Sequence, residues 1–138
     1  MTINQTELAA LTTLLRDFDP KRLTADVISV GESWVDHDAA ASALEETKKT
    51  MLARLTMEYI AGGSSGALGE KPKAMPVSQA ELKALSDPRY EQHLELMVAA
   101  RQEANRARVR YDLGRMRLEL MRSLQATMRN EMRMSGQT

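Results

Sequence analysis

The chain has 138 residues, 19 acidic and 19 basic side chains, and no cysteine. That length fits one domain, and the lack of thiols excludes disulfides and thiolate catalysis while being compatible with a reducing cytosol. The polar, acidic start (Thr2, Asn4, Gln5, Glu7) lacks the pattern of a signal peptide, and no apolar run reaches the roughly 20 residues that span a bilayer.

Aromatic residues are few, while ten methionines accompany many leucines and alanines. This composition predicts an all-α protein with an adaptable core. The charge is unevenly spread: residues 1–47 hold nine acids and three bases, and residues 101–138 hold nine arginines and four acids. An acidic front and a basic back favour docking between subunits, and leave a basic surface for a polyanion.

Thr6 reads as the N-cap of a first helix, with Leu8, Leu11, Leu14, Leu15 and Phe18 at helical spacing. Asp19-Pro20 reads as its stop, because proline disfavours a helical residue before it. Lys21 to Gly31 is ambiguous between a short helix and an extended segment. Residues 1–32 are thus expected to form an N-terminal helix and connector.

A basic helix is expected over 33–61, its body about 34–60, capped by Ser33 or Asp38. Its apolar positions are Trp34, Ala41, Leu44, Met51, Leu52, Leu55 and Tyr59, and Lys48, Lys49 and Arg54 form a small basic cluster. Gly62-Gly63 ends it. Residues 62–77 read as a flexible loop carrying Lys71 and Lys73, either a connector or an arm that orders on a partner. Ser78 with Glu81 reads as a capping box for a short helix through Leu85.

Asp87 as N-cap and Pro88 at the first helical position open a long helix, 88–134. It would be about 70 Å long at 1.5 Å per residue, too long for one small domain to cover, so part of it is expected to meet another chain. One face carries steps of three and four: Met97, Ala100, Ala104, Ala107, Tyr111, Gly114, Leu118, Met121, Gln125, Met128 and Met132. This heptad seam is the expected oligomerisation surface, with Met97, Ala104, Tyr111, Leu118, Met121 and Met128 as its main contacts. Val109, Leu113, Met116 and Leu120 form a second apolar face on nearly the opposite side, and a helix apolar on two sides is usually buried on two sides. Beside the seam runs an arginine every seven residues: Arg101, Arg108, Arg115, Arg122 and Arg129. The tail from Ser135 to Thr138 is expected to fray.

The arginine row has two readings. It is a solvated flank pairing with acidic residues of a neighbouring helix, or it is a phosphate-binding track. The planar guanidinium fork suits carboxylate and phosphate alike, so residue type does not choose between them.

Enzymatic motifs are missing. There is no GxxxxGK[ST], GxGxxG or GxSxG segment. Asp36-His37-Asp38 are adjacent, and neighbours on a helix do not converge on one ion. His93 lies near the seam and reads as a packing or interface residue. No enzyme activity, cofactor or metal is expected.

Phe18-Asp19-Pro20-Lys21-Arg22-Leu23, then Trp34, then Lys48-Lys49, then the run from Met51 to Gly62 (MLARLTMEYIAG) resembles the phage recombination mediator UvsY family. The resemblance covers residues 14–62 in detail and 87–134 as pattern. It implies a protein that binds single-stranded DNA, forms a ring-like homo-oligomer through its last helix, and helps a RecA-like recombinase replace single-strand-binding protein. A family lysine and arginine, two residues apart on the basic helix, contribute to DNA binding. The first falls on Arg54 and the second on Thr56, which carries no charge. The row from Arg101 onward is therefore expected to share the task.

Residues and resemblance together lead to an expectation of an elongated all-α protein, its two long helices joined by a flexible loop and packed into an oligomeric assembly. Its expected role is that of a recombination mediator in the cytoplasm of a phage host. The expected DNA contacts are Lys48, Lys49, Arg54, Arg101, Arg108, Arg115 and Arg122. The rival is a coiled-coil adaptor, assembly factor or inhibitor without a nucleic-acid ligand, whose arginines pair with acids of residues 1–47.

Overall fold

The structure, a computed structural model, describes residues 4–62 and 74–136. The described residues form four helices and no strand: α1 (Gln5–Arg16), α2 (Pro20–Gly62), α3 (Val77–Leu85) and α4 (Pro88–Met134). The all-α expectation holds, with two long helices. Most of the expected 62–77 loop, with Lys71 and Lys73, lies outside the described residues.

Local chemistry explains each helix start. Asn4 caps α1 in place of Thr6: its side chain accepts from Glu7 N at 2.7 Å, and its own N–H donates to Glu7 Oε2 at 3.2 Å. The helix satisfies two orphan donors this way. As expected, α1 stops before Asp19-Pro20, at Arg16, and the pair then starts α2. Asp19 Oδ1 accepts from Lys21 N at 3.1 Å and Arg22 N at 3.3 Å, and Pro20 occupies the first turn, where its missing N–H is no loss. Asp87-Pro88 repeats the device, with Arg89 N donating to Asp87 Oδ1 at 2.7 Å.

α2 therefore begins well before Ser33, and the ambiguous 21–31 segment is its first part. α3 starts at Val77 after Pro76 with no side-chain cap, so the Ser78–Glu81 box is not used. Past α4, Ser135 N still donates to Glu131 O at 3.0 Å, and Gly136 takes φ 75°, the left-handed conformation that commonly closes a helix.

The chain divides into two compact units, and α2 and α4 run through both. The first comprises residues 1–34 and 106–138. Here α2 and α4 approach closely at two glycines. A Cβ on Gly31 would lie 3.1 Å from the Tyr111 ring, and one on Gly114 would lie 3.3 Å from Val27 Cγ2. Gly31 thus sits inside a helix because a neighbour needs the space. Trp34 stacks on Tyr111 with ring centroids 5.5 Å apart. Ala107, Leu118, Met121 and Met128 are buried. The second apolar face behaves differently: Val109, Leu113, Met116 and Leu120 are exposed, at 56%, 59%, 59% and 59%.

The second unit comprises residues 35–105. Its core is Leu55, Ala84 and Tyr90, with Met51, Leu52, Tyr59 and Leu94 packed around them. Ala41, Ala80 and Ala104 are fully or almost fully buried, so small side chains let the helices come close. His93 is buried as well, and its Nε2–H donates to the Leu44 carbonyl at 2.9 Å, which makes it a packing histidine.

Candidate nucleic-acid interface

The arginine row does not share one fate. Arg101 is clamped by α2 of its own unit. Its Nε and Nη2 donate to the two oxygens of Glu45 at 2.8 and 3.0 Å, and Nη1 donates to Asp38 Oδ1 at 2.7 Å. A bidentate fork with a second carboxylate is a strong arrangement. The hydrogen bond from Arg101 holds the Glu45 carboxyl below its ordinary pKa, and the same bonds raise the guanidinium's own pKa. A phosphate would have to displace both carboxylates.

The rest of the row belongs to the other unit and is more open. Arg108 lies over the Trp34 ring at 5.8 Å and reaches Asp112, one turn on, at only 4.0 Å. Arg115 reaches Glu119 at the same 4.0 Å. The Arg108 and Arg115 side chains are 65% and 57% exposed, and such pairs on a helix surface are weak. Arg122 and Arg129 are exposed, and neither has a carboxylate within ion-pair distance among the described residues. Successive members drift by about 20° per heptad, so Arg108 to Arg129 trace a winding stripe on one side of α4.

The three basic residues of α2 are not gathered. Lys48 is half-buried, while Lys49 and Arg54 are exposed. At about 100° per residue, Lys49 and Arg54 point more than a third of a turn apart. Thr56 is buried, and its hydroxyl donates to Leu52 O at 2.8 Å. Two residues apart on a helix means nearly opposite faces, so an inward Thr56 goes with an outward Arg54. A charge at position 56 would enter the packed side of α2.

The six expected oligomer contacts also have partners inside the chain. Ala104, Leu118, Met121 and Met128 are buried, and Met97 and Tyr111 are half-buried. Met121 and Arg117 line an open groove with Leu14, Phe18, Leu23 and Asp26.

One polar cluster was not foreseen from the sequence. Asp87, which caps α4, accepts from the Tyr59 hydroxyl at 2.6 Å and from Arg89 Nε and Nη2 at 3.2 and 3.1 Å. Arg89 Nη1 also donates to Glu58 Oε2 at 2.7 Å. The Arg89 and Tyr59 bonds hold the Asp87 carboxyl well below the usual carboxylate range, and the Asp87 bond pushes the Tyr59 hydroxyl up. The cluster ties the end of α2 to the start of α4. The signal for it was Tyr59 near one helix end and an Asp-Pro-Arg at the next helix start.

Among the described residues no helix is long and apolar enough to cross a membrane, and no group of acidic and histidine side chains is placed to hold a metal ion. No protein-family model, no curated protein and no solved structure matches the chain.

Proposed function

We propose that the protein binds single-stranded DNA without sequence preference and acts as a recombination mediator, helping a RecA-like recombinase to load onto DNA covered by single-strand-binding protein. The observation that carries this reading is the exposed row Arg108, Arg115, Arg122 and Arg129, of which the last two have no carboxylate partner among the described residues. Guanidinium groups at heptad spacing suit the repeated phosphates of a strand. The resemblance of residues 14–62 to the UvsY family supplies the recombination context.

Arg101 is left out of the proposed DNA surface, because Glu45 and Asp38 hold it. Arg54 and Lys49 are retained as exposed cations of α2, acting from different faces. Trp34 already stacks on Tyr111 and carries Arg108 over its ring, so little aromatic surface remains for bases. Binding is therefore electrostatic and tolerant of sequence. Copies of the chain in an assembly multiply the number of phosphate contacts.

Recombinase loading on a single strand coated with single-strand-binding protein is the test of the mediator role. Addition of the protein shortens the lag before filament formation; no change in the lag at saturating protein counts against it. A second reading, an adaptor without nucleic acid, is favoured by the Arg101 clamp, where a row arginine pairs with acids from residues 1–47. Under that reading the recombinase assay and DNA binding are both blank.

A further inference from the structure

Val109, Leu113, Met116 and Leu120 follow one another by steps of four, three and four along α4, and each is more than half exposed. That spacing is the core row of a helix pair, here without an occupant among the described residues. The row is bounded by polar residues at the same register, Arg106 and Gln102 before it and Ser123 and Thr127 after it. It is a two-heptad patch with defined ends. Scattered exposed apolar residues need no explanation, but four in one contiguous row mark an interaction surface.

The margins of the row differ in charge. Asp112 and Glu119 lie along one side, and Arg110 and Arg117 along the other. In a parallel helix pair, each helix sets one margin against the opposite margin of its neighbour, roughly five positions on. Asp112 then meets Arg117 of the neighbouring copy. An antiparallel pair would set arginine against arginine and acid against acid, which costs affinity. Asp112 and Glu119 are held within their own helix only at 4.0 Å, longer than a hydrogen bond, so neither is locked away from a neighbour.

We infer that this face is a self-association surface: copies of the chain meet in parallel and in register through Val109, Leu113, Met116 and Leu120, with Asp112 beside Arg117 of the next copy. The inference deepens the self-assembly part of the proposed function and needs no nucleic acid. It puts the contact on the face opposite the heptad seam, which is buried or half-buried from Met97 to Met121.

The absence of cysteine gives a direct test. Val109→Cys and Leu120→Cys are made separately in the full chain and oxidised without DNA, beside Arg122→Cys as a control away from the row. Sedimentation equilibrium of the parent reports the assembly itself. Parallel, in-register association brings each residue opposite its own copy, within the short Cα–Cα span a disulfide allows. Each single variant then forms a disulfide dimer at least roughly tenfold faster than the control, because association raises the effective concentration. Asp112→Arg weakens the assembly, and Asp112→Arg with Arg117→Asp restores it. Cross-linking only in a mixture of the two variants would mean an antiparallel pair and overturn the inference. An oligomer with no cross-link in any variant would overturn this face while leaving self-association standing. A monomer at every concentration would overturn both, whatever DNA binding shows.

Discussion

Tyr59 and Asp87, one near the end of α2 and one capping α4, are joined by a 2.6 Å hydrogen bond in which the phenol donates to the carboxylate. Asp87 is the residue that starts α4, so this bond fastens a helix start to a neighbouring helix. Burial of a charge is tolerated here because Arg89 and Tyr59 satisfy it. The Asp87 carboxyl is depressed in the folded state, so its stabilising effect is fully present above the unfolded value near 3.9 and is lost as pH falls below that. Thermal melts followed by circular dichroism from pH 7 to pH 2 should show the parent losing stability below about pH 4. Asp87→Asn should be less stable at neutral pH and flatter across that acid range. Tyr59→Phe should fall between the two.

Gly31 and Tyr111 give a prediction that changes sign. Alanine in a helix is favoured over glycine by roughly 0.5–1 kcal/mol, but a methyl at Gly31 would sit 3.1 Å from a ring held by its stack on Trp34. Gly31→Ala alone should therefore be neutral or destabilising, and Gly31→Val clearly destabilising. In a Tyr111→Ala background Gly31→Ala should become stabilising. Urea titrations of the four members of that cycle check the coupling.

Leu55 is 1% exposed and central to the core of the 35–105 unit. Leu55→Ala should cost about 2–5 kcal/mol through lost burial and the cavity left behind. The same substitution at exposed Leu113 should change monomer stability by less than about 0.5 kcal/mol. Denaturant melts at low protein concentration separate the two.

Arg101 and Arg122 occupy equivalent places in the heptad row, and their substitutions should fail in different ways. Arg101→Ala strands Glu45 and Asp38, and should lower the melting temperature while leaving the salt dependence of DNA binding unchanged. Arg122→Ala should do the reverse. A melt and a binding titration on each variant suffice.

Much of the helix plan was legible because local chemistry and tertiary packing agree. Asp87, Pro88 and the proline-free run after them bounded α4, and Gly62 marked the end of α2. The start of α2 was misjudged for a physical reason. An Asp-Pro pair that follows one helix can also cap the next at once, and whether it does depends on the aspartate side chain folding onto the following N–H groups. Asp19 does so. The segment from Lys21 to Gly31 was ambiguous in sequence, and the reason for a glycine there, room for Tyr111, comes from a residue far along the chain. The same blindness affected the arginine row. Periodicity put five arginines in register, but only tertiary structure shows that Asp38 and Glu45 claim the first of them. It also gave two apolar faces on α4 without saying which one the chain itself fills.

The most direct measurement is fluorescence anisotropy of a labelled single-stranded oligonucleotide over a salt series, with the parent and Arg122→Ala/Arg129→Ala side by side. Binding should be tight at low salt and weaken steeply as salt rises. The double variant should have a shallower slope, by about 0.7 for each phosphate contact removed on a single strand. No binding at low salt, or a double variant whose affinity and slope match the parent's, would contradict the arginine track.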